Sequence, residues 1–246
     1  MLNRIFIKFL TFIINIIDYS NKKKVILYLK KILKKKELNV IDIGSHKGET
    51  IDMFMKNFEI EKIFSFEPNI NLFNKLKSNM KYVNKKIHLS NFGVGSLEEN
   101  KYLNIMTDTS SSTFNTLNSD SKYYKKKKKI LSFFSNKKEL IEQKQNIKVV
   151  NLSNFILEKD ISSIDVLKID TEGYEYYILK GLINQDFKKI KLIYFEHHYD
   201  LMINKGYKFS EINDLLLKNN FKKKFKLKMK FRKSFEYIYE NSILKS

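Results

Sequence analysis

Five short segments of the sequence place acids, histidines or glycines directly after a run of apolar residues. These segments end in Asp42/Gly44, Glu67, Asn91/Gly93, Asp170/Glu172 and Glu196/His197. Short apolar runs bounded by turn residues indicate buried strands, and helical segments separate them, so a mostly parallel sheet is predicted. In such sheets, ligands bind beyond the carboxyl ends of the strands. We therefore expect these polar residues to lie together at one edge of one sheet.

The first segment, NVIDIGSHKGET (39–50), has the pattern of a strand that enters a tight turn and then a helix. Its glycines, Gly44 and Gly48, would let backbone N–H groups approach a ligand, although both could also be simple turn residues. Glu67 follows the second apolar run, 23 residues after Gly44. A carboxylate there can accept hydrogen bonds from ribose hydroxyls, or it could instead cap the next helix.

The turn lacks the closely spaced third glycine of a dinucleotide fingerprint, so a pyrophosphate is not expected. A nucleoside with a small charged tail fits better, and S-adenosyl-L-methionine is such a ligand. Its sulfonium and amino groups are positive, which suits the acids at the strand ends. Those acids are Asp42, Asp170, Glu172 and Glu196.

The composition limits the function classes. The chain has 246 residues and no cysteine, which excludes disulfides, a thiolate nucleophile and a zinc–thiolate site and fits a cytoplasmic location. The net charge of +20 comes almost entirely from lysine, because Arg4 and Arg232 are the only arginines. Proteins that read nucleic acid rely on arginine for bidentate contacts, so no nucleic-acid partner is expected.

Two regions differ from the alternation of predicted strands and helices. Residues 1–36 are predicted to form N-terminal amphipathic helices packed on a main domain at 37–246. Within them, 4–18 carry a single polar stripe, so a peripheral contact with the inner face of a membrane, or a dimer contact, stays open. The Lys-rich stretch 119–146 is predicted to be an insertion, partly helical or mobile, with a solvated lysine face.

The remaining pattern predicts the elements of the main domain. The predicted helices are 25–36, 48–58, 69–80 and 209–219, with Gly181 ending one more. The predicted strands are 40–43, 63–66, 86–95, 97–106, the start of 164–175, 191–198, 221–230 and 234–240. A polar loop is expected at 107–113, and order is expected to resume at 147–156.

The order of the motifs resembles the FkbM family of S-adenosylmethionine-dependent methyltransferases. The motifs are DIGSHKGE, FSFEPN, an SSST loop, DVLKIDTEGYEYYILKG and LIYFEHH, between about residues 38 and 240. KIDTEGYE is the most specific of them, and FEPN is next. The resemblance implies a class I methyltransferase fold, a Rossmann-like three-layer α/β sandwich. Its seven-stranded sheet is mostly parallel with an antiparallel last strand. The resemblance also implies methyl transfer, usually to a hydroxyl of a sugar or natural product.

The resemblance also assigns cofactor contacts to this sequence. The glycine turn would surround the methionine part of S-adenosyl-L-methionine, and Glu67 would hold the ribose. The cofactor-binding residues predicted in this way and from the strand ends are Asp42, Gly44, Ser45, His46, Gly48, Glu67, Pro68, Asn91 and Gly93. Ser111 and Ser112 match the Ser-Ser pair of the family, without a derivable role. The segment 119–146 has no recognised counterpart.

A hydroxyl acceptor benefits from a general base, because its own pKa lies far above 7. Asp170 is the first candidate for the general base or for a residue that positions the acceptor, and His197 is the second. Glu172 and Glu175 are further candidates. The alternative for both glutamates is structural, because acids stabilise the first turn of a helix. Lys168, in a strand expected to be buried, is a further catalytic candidate; it is predicted to pair with Asp42 or Glu196 and to set the charge balance of the site.

The histidines can also be structural residues or metal ligands. His88 is predicted to be a core residue, and His197 and His198 should point to opposite faces of their strand, which prevents them from sharing a metal ion. We predict a metal-independent O-methyltransferase that acts on a hydroxyl of a sugar or of a glycan- or lipid-linked precursor. The alternatives are a non-catalytic membrane-peripheral protein that retains the fold and a nucleic-acid methyltransferase.

Overall fold

The computed structural model describes residues 22–34, 37–107, 112–134, 139–229 and 233–244. The helices are α1 (22–32), α2 (Glu49–Asn57), α3 (Ile70–Ser78), α4 (Lys122–Phe134), α5 (Leu152–Glu158), α6 (Glu175–Lys180), α7 (Asn184–Phe187) and α8 (Phe209–Lys218). The strands are β1 (Leu38–Ile43), β2 (Ile60–Phe66), β3 (Ile87–Ser90), β4 (Gly93–Gly95), β5 (Glu99–Met106), β6 (Ser112–Thr113), β7 (Ile141–Asn151), β8 (Ile164–Ile169), β9 (Ile190–His198), β10 (Phe221–Lys228) and β11 (Ser234–Asn241).

Seven strands form the main sheet, in the order β10-β11-β9-β8-β1-β2-β3. β11 is antiparallel to both of its neighbours, whereas the pairs among β9, β8, β1, β2 and β3 are parallel. The mostly parallel seven-stranded sheet with an antiparallel last strand is therefore confirmed. Every residue of β8 is buried, because helices cover both faces of the centre of the sheet.

Helices pack against the main sheet in two layers. On one face, α5, α6 and α8 bury residues such as Phe155, Ile178 and Ile212. On the other face, α1 and α2 bury residues such as Leu29 and Phe54. The fold is thus the expected three-layer α/β sandwich. The described part of the N-terminal region packs on the sheet as α1, and the predicted amphipathic helix 4–18 lies outside the described residues.

A second sheet, in the order β4-β7-β5-β6, corrects two predictions. The predicted strand 86–95 is wrong: β3 belongs to the main sheet and β4 to the second. The Asn91 side chain between them donates to the carbonyl oxygens of Glu67 (2.8 Å) and Pro68 (3.0 Å), which ends the main-sheet pairing. The Lys-rich stretch 119–146 forms α4 and the start of β7, and β7 pairs antiparallel with β5 along its length.

Local signals set most element ends. Asn69 caps α3 by accepting hydrogen bonds from the N–H groups of Asn71 and Leu72, and Asn151 caps α5 in the same manner. Gly181 ends α6, as predicted. Within the described ranges, no helix combines the length and apolar content needed to cross a membrane.

Candidate active site

A cavity of about 520 Å³ opens at the carboxyl-terminal edge of the parallel strands, within the size range of small-molecule sites. It brings together most of the residues predicted from sequence. Predicted residues on its wall are Gly44, Ser45, His46, Glu67, Pro68, Gly93, Lys168, Asp170, Glu172 and Glu196. Asp42, Gly48, Asn91 and His197 are not on the wall.

The glycine turn needs Gly44 for both its conformation and the space around it. Gly44 has a φ of 91°, and a Cβ at this position would lie 2.0 Å from the backbone oxygen of Asp170. Gly44 N–H and Ser45 N–H both donate to the carbonyl oxygen of Phe66, at 2.9 and 3.0 Å. The turn is therefore wedged between the ends of β2 and β8, where any side chain would push the strands apart.

Asp42 lies fully buried beneath this turn. The Ser65 hydroxyl donates to Asp42 Oδ2 at 3.1 Å, whereas Asp42 Oδ1 has no hydrogen-bond partner among the described residues. Burial raises the pKa of Asp42 to about 6, although Lys168 and the hydroxyls of Ser65 and Ser45 oppose that shift. A buried carboxylate oxygen without a partner is costly, so this position suits a positively charged group bound nearby.

Glu67 connects the end of β2 to the glycine turn. Its Oε2 accepts from His46 N–H at 2.7 Å, and its Oε1 accepts from Asn69 N–H at 2.8 Å. Burial raises the pKa of Glu67 to about 7 despite these two hydrogen bonds. Because a carboxylate has about four acceptor sites, each oxygen can still accept from a ligand hydroxyl. Asn69 caps the following helix, so the helix-cap alternative for Glu67 is wrong.

The wall above the turn comes partly from the second sheet. Phe92, Val94, Leu103 and Phe114 give it an apolar surface, which suits a flat aromatic base. Ser112 also lines the cavity, whereas Ser111 lies outside the described residues. The second sheet was not predicted, so sequence reasoning missed this apolar wall.

Lys168 is buried in β8, but its nearest carboxylate differs from the prediction. Its Nζ lies 3.4 Å from Asp170 Oδ2 and 4.1 Å from the centroid of the Tyr194 ring. Burial alone would lower the pKa of Lys168, and the surrounding carboxylates, Asp170 first, raise it. The predicted partners Asp42 and Glu196 act at longer range, because the Asp170 side chain just past the strand end approaches the ammonium first.

Glu236 and Tyr194 are among the cavity-wall residues that were not singled out from sequence. Glu236 of β11 lies directly opposite Glu196 of β9 in the antiparallel pairing, and the Tyr194 hydroxyl donates to Glu236 Oε1 at 2.5 Å. Burial raises the pKa of Glu236, against the opposing effect of Lys168. The period of two residues along β9 carried a signal for Tyr194, because it must share a face with Glu196.

His197 does not reach the cavity, so its predicted role as second base is wrong. Strand alternation turns it to the face opposite Glu196, where its ring packs against Tyr199, Tyr207 and Phe209. Burial lowers the pKa of His197 to about 3, with smaller contributions from the positive charges of Lys205 and His198. It is therefore a neutral core residue.

The two glutamates of KIDTEGYE separate in role. Glu175 is completely buried in the first turn of α6, and it accepts from Gly173 N–H at 2.8 Å and from the Tyr207 hydroxyl. Its role is therefore structural. Glu172 precedes the helix and lines the cavity. His88, predicted as a core residue, is instead exposed on β3 and stacks on Phe64.

Comparisons with known proteins agree with this arrangement. The family model described as the methyltransferase FkbM domain matches residues 42–223. A search of curated proteins finds no match. Among the described residues, no group of three or more acids and histidines has the arrangement of a metal site.

Solved structures resemble the chain at low identity. TrmK from M. capricolum, in complex with S-adenosyl-homocysteine, is 12% identical with a TM-score of 0.49, covering 88% of this chain and 67% of that one. An rRNA methylase from Streptococcus thermophilus is 9% identical with a TM-score of 0.46, covering 89% and 94%. At these values, nothing about the acceptor follows from either structure.

Proposed function

Because the chain belongs to the FkbM methyltransferase family, we propose that it methylates a hydroxyl of a sugar or of a glycan- or lipid-linked precursor. The chain is an S-adenosyl-L-methionine-dependent methyltransferase. The hydroxyl acceptor is the proposed part, and it is supported by the charge and position of the cavity residues.

The residues at the ends of β1 and β2 fit the cofactor. The unpartnered Oδ1 of Asp42 suits a nearby positive charge, and the remaining acceptor sites of Glu67 suit ribose hydroxyls. Gly44 leaves space for the methionine part of the cofactor, and the apolar wall leaves space for its adenine. When bound, S-adenosyl-L-methionine supplies an electrophilic methyl group on its sulfonium sulfur.

We place the acceptor in the other half of the cavity and call it the acceptor half. β8 pairs with β1, and β9 and β11 follow β8 in the sheet. These three strands, with the residue after β8, contribute to the wall Lys168, Asp170, Tyr194, Glu196 and Glu236. Glu172 adds a further carboxylate, so four acids and one lysine line this half of the wall, with His198 behind Glu172 and Glu196, on a protein whose net charge is +20. This acidic lining is the observation that carries the proposal.

An acidic lining favours hydroxyl donors and disfavours phosphate. Carboxylates accept hydrogen bonds from hydroxyl groups, whereas a phosphate at this depth would meet like charges in a poorly solvated site. A polynucleotide would need to bring its backbone close to this wall. Lys22 and Lys168 line the cavity, whereas the other lysines of the described residues lie outside it.

Asp170 is the residue that we assign as general base. It lines the cavity beside the glycine turn, and its side chain is 37% exposed. Methyl transfer forms an O–CH₃ bond, breaks the S–CH₃ bond and transfers the hydroxyl proton to Asp170. Lys168, 3.4 Å away, stabilises the carboxylate before the reaction. The cavity also orients the hydroxyl in line with the methyl group.

A screen with isotopically labelled S-adenosyl-L-methionine against glycan precursors tests this proposal. We expect transfer to at least one hydroxyl acceptor and a loss of about 10²- to 10⁴-fold in Asp170→Asn, typical of removing a general base. Asp214→Asn, which alters an exposed acid on α8, is the matched control and should keep full activity.

Three results would contradict the proposal. A fully active Asp170→Asn would refute the catalytic assignment. Transfer to RNA or DNA with steep salt dependence, and to none of the glycans, would favour the nucleic-acid alternative. Absence of S-adenosyl-L-methionine binding by calorimetry would favour a non-catalytic protein that keeps the fold.

A further inference from the structure

His198, the last residue of β9, has an unusual set of neighbours that the proposed reaction does not use. It is buried on the same strand face as Glu196, and its Nε2 lies 3.2 Å from Glu172 Oε2 and 3.4 Å from Glu196 Oε1. Its Nδ1 lies 3.5 Å from Asp200 Oδ2. Three carboxylates therefore surround one imidazole: two lie within two residues of His198 along the chain, and Glu172 comes from a distant segment.

One of these carboxylates belongs to a strained turn. Glu172 has a φ of 51° and Gly173 has a φ of 95°, so two consecutive residues adopt the left-handed conformation. For a residue with a Cβ this conformation costs free energy, and it persists only where the surroundings hold it. The turn joins Asp170 to α6, and both Asp170 and Glu172 line the acceptor half of the cavity.

The second sheet holds the backbone of this turn. The Thr113 hydroxyl donates to the carbonyl oxygen of Glu172 at 2.9 Å, and Asn115 Nδ2 donates to that of Gly173 at 2.6 Å. These bonds fix the peptide groups but not the Glu172 side chain. The ion pair with His198 connects that side chain to the main sheet.

His198 carries a positive charge at neutral pH. Burial alone would lower its pKa, but Glu172, a hydrogen bond to Asp200, and Glu196 raise the pKa of His198 to about 10, with a smaller effect of Glu175. Two other groups pack nearby: neutral His197, and Lys205, whose Nζ donates to the carbonyl oxygen of His198. The net surroundings are acidic, which favours the imidazolium.

We propose that His198 is a positioning residue whose imidazolium clamps the Glu172–Gly173 turn to the end of β9 and so holds Asp170 and Glu172 in place. This inference rests on the proposed function for its catalytic consequence. Loss of the clamp acts on the acceptor half, so the methyl-transfer rate falls while the cofactor half, on β1 and β2, keeps its affinity.

NMR tests the clamp without any acceptor. The chain has only four histidines, so ¹⁵N labelling of histidine resolves each ring. We expect both His198 ring nitrogens to stay protonated at pH 8 and the pKa of His198 to fall in Glu172→Gln. A neutral His198 at pH 8 would overturn the proposal, whatever the acceptor screen yields.

Hydrogen exchange tests the effect on the turn. Gly173 N–H donates to Glu175 at 2.8 Å, so its exchange reports local opening. We expect exchange about tenfold to a hundredfold faster in His198→Gln and unchanged exchange in His88→Gln, the matched control on β3. Unchanged exchange in His198→Gln would contradict the clamp.

Kinetics separates positioning from a general loss of structure. With an acceptor found by the screen, kcat in His198→Gln should fall at least tenfold, whereas KM and calorimetric affinity for S-adenosyl-L-methionine should stay within about twofold. His198→Lys, which keeps a cation, should recover part of kcat. Loss of His198 ring protons on adding Zn²⁺ or Mg²⁺, with activity that needs the ion, would show a metal site and overturn the proposal.

Discussion

His197 and His198 are adjacent on β9, yet the fold moves their pKa values in opposite directions. Burial among aromatic rings lowers the pKa of His197 to about 3. Burial would do the same for His198, but Glu172, Asp200 and Glu196 raise its pKa to about 10. Strand alternation causes this difference, because it sends one imidazole into an aromatic layer and the other to the acidic side of the sheet.

This relationship predicts opposite pH effects on stability. Below the unfolded pKa of about 6.5, the unfolded state binds a proton that buried His197 does not, so the stability from His197 is lost as pH falls toward 3. Folded His198 keeps a proton that the unfolded state releases, so its contribution is lost as pH rises from 6.5 toward 10. For each histidine, the free energy of unfolding changes by at most about 1.4 kcal/mol per pH unit.

Urea denaturation at several pH values checks both slopes. His197→Phe should flatten the acid side of the stability curve, because the buried neutral imidazole is gone. His198→Gln should flatten the alkaline side and leave the acid side unchanged. The same flattening on both sides in either variant would contradict the assignment of the two slopes.

Cofactor affinity should rise with pH. Burial raises the pKa of Asp42 to about 6 and that of Glu67 to about 7, so both carboxylates ionise between pH 5 and 8. The ionised carboxylates should attract the positive groups of S-adenosyl-L-methionine and accept hydrogen bonds from its ribose hydroxyls. Calorimetry over this range should show tighter binding at higher pH, and affinity that falls with pH would contradict the assignment.

Glu67→Gln should weaken S-adenosyl-L-methionine binding about tenfold to a hundredfold, which corresponds to the loss of a charged hydrogen-bond acceptor. The side-chain amide of the glutamine would also place its own N–H donor opposite the backbone N–H of His46 or Asn69, where no hydrogen bond can form. Glu59→Gln changes an exposed acid just before β2 and is the matched control. Equal affinity in both variants would exclude Glu67 from the cofactor site.

Gly44→Ala should destabilise the fold and abolish cofactor binding. The added Cβ would lie 2.0 Å from the backbone oxygen of Asp170, and the φ of 91° is unfavourable for alanine. We expect a loss of about 2–4 kcal/mol in the free energy of unfolding. Lys47→Ala, an exposed position in the same turn, should change stability by less than about 0.5 kcal/mol.

Lys168→Met should destabilise the protein by about 3–5 kcal/mol at pH 8, because it leaves buried carboxylates without their cation. The loss should be smaller at pH 5, where those carboxylates can bind protons. Lys191→Met, on neighbouring β9 and partly exposed, is the control. A pH-independent loss would show that packing against Tyr194, not charge, is the role of Lys168.

Much of the fold was predictable because its signals are local. Runs rich in apolar residues, such as 40–43 and 63–66, mark β1 and β2, and Gly181 marks a helix end. The FkbM motifs imply a seven-stranded, mostly parallel sheet with an antiparallel last strand. The second sheet was missed because β7 and β5 are paired across a long Lys-rich segment. Neither strand has the fully apolar pattern of the central strands.

The sequence by itself determined the family, the cofactor and the residues of the glycine turn, because these depend on residue types at fixed spacing. Only the tertiary structure decided which polar residues line the half of the cavity formed by β8, β9 and β11. Glu236 reaches Glu196 through an antiparallel pairing 40 residues apart, and His198 reaches Glu172 across two chain segments. Such contacts are set by strand register and by the face that each side chain takes, which the sequence pattern does not specify between distant segments.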